Sequence, residues 1–231
     1  MNEILFENDA CIVINKCCGE DGQKPSGLPS LRPVHRLDTP ASGCLLLAKT
    51  PKAAAFLSAA FSHSMEADLS SSIIEKCYWA IVEMPENALP ENAPLESREL
   101  IHWISFDRAR NKSFAHAQAG PDRKKAVLRY CQAGKGDRYL FLEIDLITGR
   151  HHQIRAQLAA LGLHIKGDLK YGARRSERSG GIRLHAYSLR FPNPLAPKET
   201  IEVNALPPMM DTLWEAFSEI SHTKAQRYGR H

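Results

Sequence analysis

The chain has 231 residues, of which 43% are hydrophobic and 24% charged, a composition in the range of ordinary globular proteins with a hydrophobic core. Its formal net charge is only +4, its N-terminus MNEILFENDA lacks the basic region of a signal peptide, and its apolar run CLLLA is far too short to cross a bilayer. We therefore expect a cytoplasmic protein without a membrane anchor, made of one domain over residues 1–231.

The first half of the chain predicts strands, one long loop and one helix. ILFENDACIVIN is rich in Ile and Val and predicts one half-buried strand, followed by a Pro- and Gly-punctuated loop to about Leu31. CLLLA predicts a buried strand. The next stretch, TPKAAAFLSAAF, predicts a helix with Thr50 as its N-cap, and CYWAIVE predicts another strand.

In the second half, MPENALPENAP is too rich in Pro for a regular element, whereas AVLRYCQA, YLFLEIDLIT, RLHAYSLRF and ETIEVNA predict strands. HHQIRAQLAALG predicts an amphipathic helix, with Ile154, Leu158 and Leu161 on its apolar stripe, Arg155 beside that stripe and Gly162 as its stop. MMDTLWEAFSEI predicts a last helix. Because strands predominate and often follow one another through short turns, we expect an α+β fold with a mainly antiparallel mixed sheet flanked by helices.

The six cysteines predict neither a zinc site nor a disulfide framework, because no CxxC pair occurs among them. We expect reduced thiols, most of them buried. The charges are more informative, because they are unevenly distributed. Residues 51–100 hold three basic and eight acidic residues, whereas residues 150–190 hold nine basic and two acidic ones. A basic half-surface suits a phosphate backbone, although a run of charge is more often only a solvated face.

Two long motifs and one short one carry a resemblance. HRLDTPASG (35–43) and LITGRHHQIRAQLAALGLHIKGDLKYG (146–172) lie about 110 residues apart, and KCYWAIVE (76–83) lies between them. Together they resemble the signatures of the RluA-like family of RNA pseudouridine synthases. The resemblance implies the catalytic fold of these enzymes and an isomerase that converts specific uridines in structured RNA, either rRNA or tRNA, to pseudouridine without a cofactor.

The sequence also departs from the family's pattern. It has NKCCGE where the family usually has an NKP-x-G turn, and Thr39, Pro40 and Ala41 stand where a further charge is usual. Some thirty residues before His35 leave no room for the small N-terminal RNA-binding domain of many members. We therefore expect the catalytic domain itself to hold the RNA.

Asp38 is the proposed nucleophile of this reaction. Breaking the C1′–N1 bond and remaking it as C1′–C5 requires a group that holds the sugar or the ring while the base turns, and a carboxylate can do so. It can attack C1′ or assist glycal formation through C2′, and the sequence leaves both routes open. An isolated HRLD would more often hold an aspartate that caps a turn, but the second motif favours the catalytic reading.

The resemblance also assigns partners to Asp38. Arg155 is expected to keep this carboxylate ionised in a closed pocket, since a guanidinium favours the charged form. Tyr78 is expected to lie against the uracil ring and is a candidate to take the C5 proton. The alternatives are a solvated helix arginine and an ordinary core tyrosine.

Four further residues are candidates for substrate binding. Arg36 is expected to help extrude the target uridine, which costs a few kcal/mol in a paired region. Arg150, His152 and Gln153 stand at the predicted start of a helix, where basic side chains and backbone N–H groups suit phosphate or base edges. Gln153 fits equally well as a structural amide that orders the turn.

Metal binding is not expected. His151, His152 and His164 lack a carboxylate at ligand spacing. RNA is therefore the expected partner, with no metal and no membrane, and the chain is expected to act as a monomer. Two other functions were considered, namely an inactive RNA-binding protein on the same fold and a hydrolase with paired carboxylates. Neither motif is expected to supply a second carboxylate, which counts against the hydrolase.

Overall fold

The structure is a computed structural model that describes residues 2–64, 74–84 and 97–228. Within these residues the chain forms eleven strands, three α-helices and one short 3₁₀ turn. In chain order these are β1 (Glu3–Glu7), β2 (Cys11–Lys16), β3 (Arg32–Pro33), β4 (Ser42–Ala48), α1 (Pro51–Ser64), β5 (Glu75–Glu83), β6 (Arg98–Asp107), β7 (Lys112–His116), β8 (Lys124–Lys135), β9 (Tyr139–Leu146), α2 (Gln153–Ala160), the 3₁₀ turn (Leu169–Tyr171), β10 (Leu184–Asn193), β11 (Ala196–Asn204) and α3 (Thr212–Tyr228).

The strands build one mixed sheet in the order β1-β2-β4-β10-β5-β9-β8-β6-β7, with β3 paired to β4 and β11 to β10. Every described pair is antiparallel except β4 with β10, which run parallel over two residue pairs. The expected α+β class with a mainly antiparallel sheet is confirmed.

The parallel contact explains one glycine of the first motif. Gly43 has φ +114°, and a Cβ atom at this position would overlap the backbone carbonyl oxygen of Ala186 on β10. Only glycine tolerates both the backbone conformation and this close approach. The Ser-Gly pair that follows Asp38 therefore lets β4 lie beside β10, which fixes where the Asp38 loop leaves the sheet.

Several predictions from the sequence need correction near the N-terminus and in the middle of the chain. The single strand expected over residues 4–15 is a hairpin, because the Asn8 side chain accepts hydrogen bonds from the backbone N–H groups of Ala10 and Cys11 and forms a turn. Strands β6 and β7 were not predicted. β6 buries only Ile104, so it lacks a clear alternation of apolar and polar residues.

The helices largely follow the predictions. Thr50 Oγ1 accepts a hydrogen bond from Ala53 N at 3.1 Å, so it caps α1 as expected. On α2, Ile154 and Leu158 are buried, but Leu161 lies just past the last helical residue and is 42% exposed. The apolar stripe is therefore shorter than the sequence suggested. The Pro-rich stretch of residues 84–94 lies almost entirely outside the described residues.

Buried apolar clusters lie on both faces of the sheet, and the central strand β5 contributes alternate residues to each face. Tyr78, Ala80 and Val82 belong to a cluster that includes Ile154 and Leu158 of α2. The alternate residues Trp79 and Ile81 pack instead with Trp214 and Phe217 of α3. A third cluster covers α1 against β2 and β4. Because successive side chains of a strand point to opposite faces, Tyr78 is directed to the face on which α2 lies.

All six cysteines have free thiols, as expected. Cys11 and Cys44 are buried, but Cys17, Cys18, Cys77 and Cys131 are partly exposed, so the expectation that most are buried is wrong. In the part of the chain that the structure describes, no helix combines the length and the apolar character that a membrane span requires.

Candidate active site

The loop between β3 and β4 carries Asp38 and is held from three sides. Leu37 anchors it in the core, and Asp38 O accepts a hydrogen bond from Ala41 N at 3.0 Å, which closes a turn. The buried Lys16 donates to the backbone oxygen of Thr39 at 3.3 Å. The Asp38 side chain is left 14% exposed at the bottom of a cleft, where a substrate can reach it.

His35 fixes the preceding part of the same loop. Its Nε2 accepts a hydrogen bond from Leu46 N at 2.9 Å, and its ring stacks on Phe61 of α1 at 4.8 Å between centroids. Burial, together with the smaller effect of the Lys76 charge, lowers the pKa of His35 to about 3. This imidazole is therefore neutral and acts as a structural clamp between β4 and α1.

Arg155 of α2 binds two carboxylates at once. Its Nε and Nη2 donate to the two oxygens of Asp168 at 2.7 and 2.8 Å, and its Nη1 donates to Asp38 Oδ2 at 3.2 Å. Both Arg155 and Asp168 are almost fully buried, at 4% and 2% exposure. Burial alone would lower the pKa of Arg155, but the hydrogen bonds and charges of Asp168 and Asp38 outweigh it and raise that pKa. The guanidinium is therefore permanently charged.

This arrangement leaves one oxygen of Asp38 available. Oδ2 faces Arg155, whereas Oδ1 has no hydrogen-bond partner among the described residues. The parallel pair of hydrogen bonds goes to Asp168, so Asp38 receives a single charged hydrogen bond. A carboxylate held at one oxygen and open at the other is oriented for attack without being sequestered.

The expectation that neither motif supplies a second carboxylate is wrong, because the second motif contains Asp168, which binds Arg155. Asp168 does not revive the hydrolase reading. Paired catalytic carboxylates both face the substrate. Asp168 is buried, and both of its oxygens are bound to Arg155, so it serves to orient the guanidinium.

The ring of Tyr171 packs against the guanidinium of Arg155. The Arg155 guanidinium carbon lies 4.8 Å from the centroid of its ring, within the range of a cation–π contact. Its hydroxyl accepts a hydrogen bond from Ser113 N at 2.8 Å and lies 3.0 Å from His152 Nδ1. Tyr171 thereby ties β7, α2 and the 3₁₀ turn together around Arg155.

His152 is the N-cap of α2 and has a left-handed backbone, with φ +50°. Its Nε2 lies 3.9 Å from Asp38 Oδ2, beyond hydrogen-bond distance. Burial, together with the smaller effect of the Arg155 charge, lowers the pKa of His152 to about 2. His152 is therefore a neutral wall of the site and adds no positive charge to it.

Tyr78 of β5 lies at the back of the cleft, 7% exposed. Burial raises its pKa well above the ordinary value for tyrosine, and the negative charge of Asp38 adds to this effect. The phenol therefore stays protonated. This favours contact between the Tyr78 ring and a flat substrate group, and it weighs against Tyr78 as the base that takes the C5 proton.

A single cavity of about 60 Å³ joins all seven candidate residues identified from the sequence. They are Arg36, Asp38, Tyr78, Arg150, His152, Gln153 and Arg155. The remaining walls are mostly apolar. Charged groups in such a setting are poorly screened, so the Arg155–Asp38 contact is stronger here than it would be in water.

Two of these residues are already engaged with the protein. The side-chain oxygen of Gln153 accepts hydrogen bonds from Thr148 Oγ1 at 2.7 Å and Arg150 N at 2.9 Å, and its amide nitrogen donates to Val127 O at 3.0 Å. Gln153 therefore orders the turn before α2, which was the alternative reading. Arg150 Nε donates to Lys125 O at 3.1 Å. Arg36, in contrast, is exposed at the rim.

The histidines do not form a metal centre. His151 stacks on His152 at 3.8 Å between centroids and contacts Ser113 Oγ through Nδ1, while His164 Nδ1 faces Tyr171 O. Over residues 2–64, 74–84 and 97–228, no group of three or more His, Cys, Asp or Glu side chains is arranged to hold a metal ion.

Reasoning from the sequence did not single out Asp168 and Tyr171. Both lie in the GDLKYG segment of the second motif, which begins seven residues beyond the end of α2. A buried arginine needs a buried acceptor, so an acidic residue in this motif was the available signal.

Comparison with known proteins agrees with this geometry. The family model described as RNA pseudouridylate synthase matches residues 14–160, which is more than half of the chain. The matched segment contains Asp38, Tyr78 and Arg155.

Three relatives show how far the similarity extends. An uncharacterized RNA pseudouridine synthase of Zymomonas mobilis is 36% identical over 68% of this chain and 65% of that protein. A ribosomal large subunit pseudouridine synthase C of Vibrio vulnificus is 30% identical over 87% of this chain and 64% of that protein. A tRNA pseudouridine synthase C of Haemophilus ducreyi is 28% identical over 92% of this chain and 93% of that protein. The chain thus spans just under two thirds of the length of the first two.

Among solved structures, the human RNA pseudouridylate synthase domain containing 1 protein superposes with a TM-score of 0.70 over 96% of this chain and 95% of that one, at 21% identity. This likeness concerns the fold, which is the same mixed sheet with few helices.

Proposed function

The chain belongs to the RNA pseudouridylate synthase family, and on that premise we propose that it is an isomerase that converts uridine in structured RNA to pseudouridine, with Asp38 as its nucleophile. The observation that carries the proposal is the Arg155 fork. It holds Asp38 Oδ2 at 3.2 Å, is itself fixed by Asp168, and leaves Asp38 Oδ1 open to the cavity.

The chemistry requires only groups that the cavity contains. The C1′–N1 glycosidic bond breaks, the base turns while it stays bound, and C5 then bonds to C1′. A carboxylate either bonds to C1′ or removes a proton from C2′, and the free oxygen of Asp38 suits both routes. Arg155 supplies the counter-charge to this carboxylate and holds its Oδ2 in an apolar surrounding. No cofactor is needed.

The uridine ring has a natural partner in Tyr78. Its ring lines the same cavity as Asp38, and its protonated hydroxyl can donate a hydrogen bond to a carbonyl of the base. Because the phenol resists deprotonation, we assign Tyr78 to holding the base and leave removal of the C5 proton to another group, such as the Asp38 carboxylate once it is released.

The rim of the cavity suits a nucleotide that leaves its helix. Arg36 is exposed and adjoins Asp38 along the chain, so its guanidinium can occupy space vacated by the extruded base or contact its phosphate. His152 is neutral and forms a wall of the pocket. Arg150 adds a positive charge beside that wall.

A larger polar cavity of about 550 Å³ provides a second basic surface, which includes Arg174, Arg175 and Arg178. Three of its four carboxylates are occupied. Glu177 pairs with Lys166 and Arg183, Asp211 pairs with Arg183, and Glu83 accepts a hydrogen bond from Arg174 N, while Asp137 is exposed. This surface supports an RNA partner, since phosphate contacts supply much of RNA affinity.

The proposal extends to the class of RNA. Relatives are named for ribosomal RNA and for tRNA, so we propose a structured rRNA or tRNA as substrate, modified by a monomer in the cytoplasm. Pseudouridine mapping of total RNA from a strain without this gene, compared with its parent, identifies the position.

Release of tritium from RNA labelled at uracil C5 tests the reaction itself. An isomerase releases the C5 tritium while the base stays attached to RNA. A hydrolase would release free uracil, and an RNA-binding protein without activity would release neither.

Replacing Arg174, Arg175 and Arg178 together by Gln is expected to weaken RNA binding and to reduce the slope of log K against log salt concentration by up to about 2, since each lost phosphate contact removes about 0.7 on single strands. The single-turnover rate at saturating RNA should change little. Exposed Lys24, Lys52 and Lys198, replaced together, remove the same charge elsewhere and should leave the slope unchanged. Equal slopes for both triple variants and wild type would show that the arginines do not contact RNA.

Dialysis against EDTA is expected to leave the tritium-release rate unchanged, because the proposed chemistry uses only side chains of the cavity. The assay should use RNA that is folded in monovalent salt, so that loss of RNA structure is not mistaken for loss of chemistry. A chemical step that stops with EDTA and recovers with a divalent ion would contradict the proposed mechanism.

A further inference from the structure

A second cavity of about 240 Å³ adjoins the active site, between α1 and the loop before β4. It shares four wall residues with the cavity around Asp38, namely Arg36, Tyr78, Leu146 and Gly149. The two cavities are therefore adjacent, and the Tyr78 side chain lines both of them. Nothing in the mechanism above uses the second one.

Lys76 of β5 lines this cavity. It is 9% exposed, and its Nζ lies 6.0 Å from the centroid of the Phe61 ring. Among the described residues no carboxylate pairs with Lys76, and no hydrogen bond from Nζ is formed. Burial lowers the pKa of Lys76 to about 8, so the ammonium is still mainly charged at pH 7.

A largely buried ammonium without a counter-charge is costly, and proteins rarely keep one that has no ligand. Ser58 and Arg36 are exposed residues of this cavity that can donate hydrogen bonds, whereas Ser62 Oγ donates to Ser58 O. None of the described residues that line the cavity is Asp or Glu. A space that is lined by a cation and by hydrogen-bond donors matches an anion, and its volume accommodates a phosphodiester group with part of its sugar.

We propose that the Lys76 cavity is a phosphate subsite, which binds the phosphodiester of the nucleotide next to the target uridine. The inference rests on the proposed function, because the RNA substrate supplies this phosphate. The two cavities share a wall, so a base that packs against Tyr78 in one cavity leaves its own backbone at the entrance of the other. This supports a phosphate next to the target uridine as the occupant.

Binding of a fluorescein-labelled oligouridylate at pH 7 over a range of salt concentrations tests the subsite. In this probe every register offers a uridine with a neighbouring phosphate. Lys76→Met keeps the length of the side chain and removes its charge. We expect the slope of log K against log salt to become shallower by about 0.7, the contribution of one phosphate contact on a single strand. Lys198→Met, at an exposed position on β11, should keep the wild-type slope.

Stability gives an independent readout. Because methionine replaces an uncompensated cation, Lys76→Met should unfold at a denaturant concentration equal to or above that of wild type while it binds RNA less tightly. If its midpoint is lower, Lys76→Gln replaces it and the slope criterion is applied to that variant.

The outcomes separate the subsite from the proposed function. A wild-type slope in the Lys76 variant, or an equal change in Lys198→Met, overturns the subsite even if wild type releases tritium from RNA. If wild type releases no tritium but the slope falls only in the Lys76 variant, the phosphate subsite holds and the isomerase proposal fails.

Discussion

Asp38→Asn is expected to lower the single-turnover rate of tritium release by about a thousandfold or more, the scale on which enzymes lose activity without their nucleophile. The amide has the shape of the carboxylate and can still accept the hydrogen bond from Arg155 Nη1, but it cannot bond to C1′ or remove a proton. Folding should be nearly unaffected, because Arg155 keeps both of its bonds to Asp168. RNA affinity should also remain close to that of wild type.

The matched control is Asp122→Asn. Asp122 is exposed and has φ +56°, a backbone conformation that asparagine adopts readily, so the same chemical change there should leave rate and stability unaltered. Activity of Asp38→Asn at a tenth of the wild-type rate or more would remove Asp38 from the role of nucleophile. A rate measured together with the denaturant midpoint ensures that a loss of activity is not a loss of folded protein.

The residues around Asp38 could be predicted from the sequence because they lie in motifs whose chemistry is recognisable. Asp38, Tyr78 and Arg155 come from three separate segments, and the structure brings them to one cavity. Three nearby strands were also predictable, since β4, β5 and β9 are buried and rich in apolar residues. β5 carries Tyr78, β4 follows the Asp38 loop, and β9 precedes α2.

The sequence did not reveal which hydrogen-bonding partners each polar side chain has in the folded protein. Residue types suggested one Asp38–Arg155 pair, whereas Arg155 gives two of its hydrogen bonds to Asp168. Gln153 was open to two readings, which only its three contacts separate. A sequence likewise does not show that none of the described carboxylates pairs with Lys76, since this depends on how the strands and helices are arranged in space.

The shared guanidinium changes what is expected of Arg155. Removing it leaves Asp38 at the cleft, where 14% exposure gives partial hydration, and Asp168 in the interior at 1% side-chain exposure. Loss of the guanidinium therefore costs more free energy at Asp168 than at Asp38. A loss of activity in a simple Arg155 variant could thus reflect unfolding around Asp168 as well as a disordered nucleophile, and the experiment must separate the two.

Arg155→Met is accordingly expected to lower the free energy of unfolding by about 3–5 kcal/mol, the usual cost of breaking a buried ion pair from one side. Adding Asp168→Asn removes the stranded charge and leaves a buried amide, whose unsatisfied groups cost about 1–3 kcal/mol. The double variant should therefore recover roughly half of the lost stability in urea unfolding. Asp168→Asn alone serves as its control.

Activity should not recover with stability, because the double variant still lacks the group that orients Asp38 Oδ2. A misplaced reacting group costs about a hundredfold in rate, and we expect a loss of that order in single turnover for the folded double variant. Arg155→Lys should lie between, since an ammonium supplies the charge but not three fixed donors for two carboxylates. If the double variant is stable and as active as wild type, then Arg155 only maintains the fold, and Asp38 is oriented by its own loop.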